Sequence, residues 1–233
     1  MVTSAVQKEI QHNNINGERP EEQYGLRKTP ISQGLDFHAS LQNAGERRFQ
    51  FYLHPAQTVN STQTMTVDDV YEYITLDMRA SQATRELRKI EDEKERKKFK
   101  SKNFDFVCFS GTFSYRMDNC LIEHSGLICL DFDHLPHLEM WDIRKKLIAD
   151  PYFTTQLLFT SPSGDGLKWV VDIDLNECDH RTWFRAISNY VRETYRLEAD
   201  PKCANVSRAC FLPSDGNCYV NPEYFNKPGV CPF

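Results

Sequence analysis

Apolar and polar positions follow different periods along this chain, and the change of period divides it. Residues 1–60 are mostly polar, and Asn13-Asn14, Gly17 and Pro20 interrupt what periodicity they have, so a partly flexible segment is predicted. Within it, Phe49-Gln50-Phe51-Tyr52-Leu53 is strand-like: Phe49, Phe51 and Leu53 share one face, and His54-Pro55 ends the run. Thr66-Val67-Asp68-Asp69-Val70 carries a helix start, with Thr66 as N-cap and Asp69 as its capping-box partner, and a helix to about Met78 is predicted. From Arg85 to Lys102 only Leu87, Ile90 and Phe99 are apolar. That spacing predicts a mostly solvated helix laced with i,i+4 ion pairs over 81–102.

From Phe104 the period shortens. Phe104 to Ser110 reads as a strand, Gly111-Thr112-Phe113 as a turn, and the stretch from Leu121 to Asp133 is strand-like at its end. Leu138 to Ala149 has helical spacing through Leu138, Trp141, Leu147 and Ile148, and stops before Asp150-Pro151. Thr155–Thr160 and Leu167–Ile173 are strands on either side of the turn Ser161-Pro162-Ser163-Gly164-Asp165-Gly166. Arg181–Tyr195 is an amphipathic helix with Trp183, Phe184, Ile187, Tyr190 and Val191 on one side. Val206 to Leu212 reads as an apolar strand carrying one arginine, Arg208. Strands alternating with helices predict a layered α/β or α+β fold rather than a sandwich.

Composition narrows the function classes. A chain of 233 residues can bury a core in one large domain or two small ones. Its net charge of −5 leaves nucleic-acid contact to local patches, such as the basic end Arg96–Lys102, unless that run is only a solvated face. No window is apolar enough to span a membrane and the first residues show no signal-peptide core, so a cytoplasmic protein is expected. The eight cysteines contain no C-x-x-C; Cys108 and Cys129 lie in apolar runs and read as buried thiols. Cys203, Cys210 and Cys218 with His180 are too loosely spaced for a structural zinc, and unligated thiols are expected.

The chemistry-bearing residues fall into three separated features. Leu127-Ile128-Cys129-Leu130-Asp131-Phe132-Asp133 is an apolar run ending in two carboxylates that a strand turns to the same face. Hard oxygens so placed suit Mg²⁺ or Mn²⁺ with a nucleoside triphosphate, although a strand end facing water also explains them. The small-residue turn from Ser161 to Gly166, with Lys168 beyond it, is either an anion-binding nest beside a point charge or simply a turn. It is not a Walker A loop. Third come Asp200 and the Arg208 strand, whose guanidinium needs a ligand or a carboxylate, Asp131 or Asp133 being the nearest candidates in kind.

In this order the features resemble the N-terminal domain of virulence-associated-E (VirE-type) proteins of bacterial mobile elements, a domain similar to the archaeo-eukaryotic primase (primase–polymerase) superfamily. Four stretches carry the resemblance: Phe109-Ser110-Gly111-Thr112-Phe113, Gly126 to Leu135, Ser161 to Lys168, and Asn205 to Phe211. It implies an α+β fold with a central, mostly antiparallel sheet (an RRM-like half) flanked by helices, over a domain at 61–225. Residues 226–233 would form a tail or linker that could lead to a helicase. It also implies a nucleotidyltransferase serving mobile-element DNA replication. Asp131, Asp133 and Asp200 would hold Mg²⁺ or Mn²⁺ and carry catalysis; Ser163, Gly164, Lys168 and Arg208 would hold a nucleoside triphosphate. Single-stranded or primed nucleic acid would be the other partner, with Tyr115 or Trp169 as stacking candidates. Lys168 stands where the superfamily's second motif has a histidine. That departure and the acidic net charge keep open a catalytically retired nucleotide- or nucleic-acid-binding module, and a D-x-D pair with a third aspartate also serves a metal-dependent phosphohydrolase or nuclease.

Overall fold

The computed structural model describes residues 47–226; the earlier part of the polar N-terminal segment, residues 1–46, and the tail from 227 lie outside the described residues. Strands β1 (Phe49–Tyr52), β2 (Thr64–Met65), β3 (Phe106–Cys108) and β9 (Cys210–Phe211) form one antiparallel sheet in the order β2-β1-β3-β9. Strands β6 (Leu127–Phe132), β7 (Thr155–Thr160), β8 (Leu167–Asp172) and β10 (Tyr219–Val220) form a second, also antiparallel, in the order β10-β7-β8-β6. A two-stranded ribbon pairs β4 (Gly111–Phe113) with β5 (Leu121–His124). The fold is α+β with antiparallel sheets, and its strands are shared between two four-stranded sheets rather than gathered in one. Because β1 is an inner strand of the first sheet, the folded unit starts ahead of residue 61.

Among the described residues, five α-helices complete it. Helix α1 (Val67–Leu76) starts on the Thr66–Asp69 capping box that the sequence carries. The charged stretch after it is two helices, α2 (Met78–Leu87) and α3 (Glu93–Asn103), each with its own aspartate N-cap, Asp77 and Asp92. Helix α4 (Met140–Ile148) buries Met140, Ile143, Arg144 and Leu147, which leaves Leu138 95% and Trp141 58% exposed, contrary to the apolar face predicted for them. Helix α5 (His180–Tyr195) buries Phe184, Ile187, Tyr190 and Val191.

The second sheet is covered on both faces, and this explains why β6 is an almost unbroken apolar run. One face meets the first sheet and α1 in a core that joins Phe49, Phe51, Val107 and Phe109 to Leu127, Leu157, Phe159 and Val170. On the other face, Trp169 contacts Phe132 and Phe153, and is fully buried. It is therefore no stacking platform for a base, whereas Tyr115 is exposed. Gly111–Phe113, read as a turn, is a strand. A side chain at Gly111 would overlap the Glu123 carbonyl, so the glycine permits the close approach of β5 rather than a reversal of the chain.

Candidate nucleotide site at the Asp131 corner

Asp131 is the polar break in β6, and across the sheet its partner on β8 is Lys168. Paired positions of neighbouring antiparallel strands project to the same face. Here the Lys168 ammonium forms an ion pair with Asp131 Oδ2, with both residues buried. The other carboxylate oxygen, Asp131 Oδ1, is buried and has no hydrogen-bond partner. Burial pushes the Asp131 carboxyl upward, Lys168 pulls it back, and Asp133 and Asp200 add to the upward push. Burial alone would favour loss of the Lys168 proton, but the neighbouring Asp131 outweighs it and the ammonium is held.

Two residues on, at the end of β6, Asp133 shares the face of Asp131 and is exposed. It has no hydrogen bond or ion pair among the described residues. The β7–β8 turn closes against it. Leu135 N–H donates to the Asp165 carbonyl (2.8 Å), and a Cβ at Gly166 would lie 2.5 Å from the Phe132 carbonyl and 3.2 Å from Asp133 Oδ1. Only glycine fits at 166 without moving backbone. Gly164 has φ +87°, and its N–H donates to the Ser161 carbonyl (2.9 Å), so that amide is spent within the turn rather than offered to an anion. Ser163 is half-buried in the same turn, and Ser161 Oγ is buried without a partner.

Asp200 comes from the chain after α5 and N-caps the 3₁₀ turn Pro201–Ala204. Its N–H donates to the Asp131 carbonyl (2.9 Å), which ties this segment to β6. Its side chain accepts from Lys202 N–H (3.0 Å) and from Arg208 Nη2 (2.8 Å). Arg208 thus pairs with Asp200, not with Asp131 or Asp133, and sits in the exposed loop ahead of β9 rather than inside a strand. Behind the turn, a histidine pair braces it. Gly126 N–H donates to His124 Nδ1 (3.0 Å), which leaves the His124 proton on Nε2, facing His180 Nδ1 (3.1 Å). His180 Nε2 in turn donates to the Cys203 carbonyl (3.3 Å). Burial, with His180 beside it, lowers the His124 pKa to about 4, so the pair is neutral at neutral pH.

A small open pocket lies at this corner, lined by Asp131, Lys168, Arg208, Ser110, Asn205 and Cys203 among others. Two further basic residues bear on this corner: Arg88, which the sequence did not single out, and Lys100, which belongs to the basic end Arg96–Lys102 named above. Arg88 donates to the Pro162 carbonyl (3.2 Å) and so holds the β7–β8 turn. Lys100, near the C-terminal end of α3, lies within electrostatic range of Lys168, Asp133, Asp131 and Asp165. The only signal for either was its place in a charged run.

The oxygens of this corner suit a hard cation in part. Among the described residues no three His, Cys, Asp or Glu side chains gather as a metal cage, and the oxygens of Asp200 are committed to Arg208 and its own cap. Asp131 Oδ1 and the Asp133 carboxylate remain. Magnesium is ordinarily held by one or two carboxylates, with substrate phosphates and water supplying the rest, so this pair fits such an ion where a three-carboxylate cage does not.

A family described as BT4734-like, N-terminal domain, matches residues 98–220, more than half of the chain, and the match takes in every residue of this corner except Arg88. No curated protein and no solved structure matches the chain.

Proposed function

The chain belongs to the BT4734-like N-terminal domain family, and we propose that it is a primase–polymerase-like nucleotidyltransferase domain serving mobile-element DNA replication. It would bind a nucleoside triphosphate at the Asp131 corner and single-stranded or primed nucleic acid beside it, with a helicase as partner. One observation carries the reading: the partnerless, buried Asp131 Oδ1 stands in the same pocket as the cations Lys168 and Arg208. A bare carboxylate oxygen at that depth calls for a cation, and an ammonium beside a guanidinium suits phosphate oxygens. A metal–nucleoside triphosphate complex brings both at once. The order of motifs, which resembles that of VirE-type N-terminal domains and the primase–polymerase superfamily, supports the same reading.

Mg²⁺ or Mn²⁺, held by Asp131 and Asp133, would supply Lewis-acid stabilisation of the charge that develops on the phosphates. The chain's own residues do the rest. Lys168 and Arg208 neutralise phosphate oxygens, Gly166 lets the turn close on the strand end, and the Asp200 backbone fixes the depth of the Asp131 strand. Calorimetric titration with a nucleoside triphosphate, in Mn²⁺ and in EDTA, tests this against the Asp131→Asn/Asp133→Asn double variant, followed by primer synthesis on a single-stranded template. Metal-dependent binding that the double variant loses, together with primer synthesis, is the expected result. Absence of any nucleoside triphosphate binding would overturn it.

A second reading, a binding module of the same kind without catalysis, is favoured by the ion pair itself, since Lys168 already gives Asp131 a resident cation. Binding of nucleotide or single-stranded nucleic acid in EDTA, unchanged in the double variant and without product, would select it.

A further inference from the structure

Three cysteines, Cys129, Cys203 and Cys210, line the pocket at the Asp131 corner, and nucleotide binding gives none of them a role. All seven cysteines of the described residues are free. Cys129 Sγ lies 3.9 Å from Cys210 Sγ, close enough for a weak S–H···S bond, although the two residues are 81 apart in sequence. Cys203 lines the same pocket without such a contact.

The two thiols in contact come from different sheets. Cys129 is on β6, an edge strand of the second sheet, and Cys210 is on β9, an edge strand of the first. Cys129 precedes Asp131 by two residues and shares its face of the strand, while Cys210 follows Arg208 by two. A bond between the sulfurs would therefore join the Asp131 wall of the pocket to the Arg208 wall. It would shorten the 3.9 Å separation to about 2 Å, the length of a disulfide, and draw the walls together. Cys129 is half-buried and opens on the pocket, which gives a small oxidant its way in. The bond to Cys210, then burial, push the Cys129 thiol upward, and Lys168 pulls it back. The thiolate is the reacting form, so oxidation is slow at neutral pH and quickens as pH rises.

We propose that Cys129 and Cys210 are a disulfide-forming pair, oxidised by a hydroperoxide, whose bond ties the two sheets at their edges and closes the pocket. The thiolate of one cysteine attacks a peroxide oxygen. Its sulfur becomes a sulfenic acid, and the other oxygen leaves as hydroxide. The second cysteine, having lost its proton, attacks the sulfenic sulfur and expels a second hydroxide as the S–S bond forms. The protons lost by the two thiols turn both hydroxides into water, so two electrons pass from the thiols to the peroxide. Contact between the sulfurs lets the second thiol intercept the sulfenic acid before more peroxide does. The pairing holds whatever the pocket binds; its effect on a nucleotide rests on the nucleoside triphosphate reading.

The test treats the full chain with hydrogen peroxide, folded and in urea, alkylates the remaining thiols, and maps linked peptides by mass spectrometry. In the folded chain the Cys129–Cys210 link is expected in roughly tenfold or greater excess over any other pair, and in urea that preference disappears. Cys203→Ala is expected to form the same link, and dithiothreitol to reverse it. The linked chain is expected to unfold at higher urea concentration, because the bond closes a long loop, and to bind a nucleoside triphosphate roughly tenfold or more weakly. No link, a link to Cys203 instead, sulfinic acid in place of a link, or the same pairing in urea overturns the assignment. Equal nucleoside triphosphate affinity of linked and reduced chains overturns the closing of the pocket. If the reduced chain binds no nucleoside triphosphate, the nucleotide reading falls, and the mapped link with its urea shift still decides this inference.

Discussion

Asp131 and Lys168 stand directly opposite each other on neighbouring antiparallel strands, and their side chains close a buried ion pair at the polar end of the core between the sheets. Removing one partner leaves the other charged in a place water hardly reaches. Lys168→Met is therefore expected to destabilise the fold by about 3–5 kcal/mol in urea denaturation. In the Asp131→Asn/Lys168→Met double variant most of that loss returns. A double variant as unstable as the single one would mean that the pair is not the source of the effect.

Gly166 touches backbone where a side chain would go. Gly166→Ala places a methyl group 2.5 Å from the Phe132 carbonyl, which must move. The expected cost is about 1–3 kcal/mol, with weaker nucleotide binding because the β7–β8 turn opens beside Asp133. An alanine variant with unchanged denaturation midpoint and binding would show that the turn yields freely.

Arg208 and Asp200 make a pair of the opposite kind, on the surface. Arg208→Ala is expected to change stability by less than about 1 kcal/mol, since such pairs contribute little in water. Nucleoside triphosphate affinity is expected to fall in the same variant, so the two measurements separate structural support from ligand contact.

The His124–His180 pair makes stability depend on pH. The His124 pKa lies near 4 in the fold, well below the ordinary histidine value, and that of His180 is lowered as well. Between about pH 6.5 and 4 the unfolded chain binds protons that the folded one refuses, so stability present above pH 6.5 is lost as pH falls through that window. Thermal denaturation of wild type should show the decline, and His124→Phe should flatten it. A variant with the same slope as wild type would assign the decline to other groups.

Where a residue's role is local, the sequence declares it. The Thr66–Asp69 box, the β7–β8 hairpin and the α5 stripe all follow from spacing, and each is present in the fold. Asp131 beside Asp133 is legible for the same reason, through the two-residue period of a strand. What spacing could not show is which distant group answers each charge. Lys168 reads as a free point charge and Arg208 as needing a ligand or a carboxylate, Asp131 or Asp133, yet Lys168 ends on Asp131 opposite in the sheet and Arg208 on Asp200 eight residues back. The break between α2 and α3 was hidden because both helices are charged on their exposed sides, and only the Asp92 cap marks it.

Both four-stranded sheets are finished by short strands from the last part of the described chain, β9 at the edge of the first and β10 at the edge of the second. The segment that supplies them also brings Asp200, Asn205 and Arg208 to the corner. During synthesis the first sheet gains its edge and the pocket its far wall only once about residue 211 has left the ribosome, and the second sheet gains its edge only at about residue 220. A nascent chain stopped at the end of α5 would carry Asp131 and Lys168 but not that wall. Completion of the fold and assembly of the site thus both come late, from the same segment.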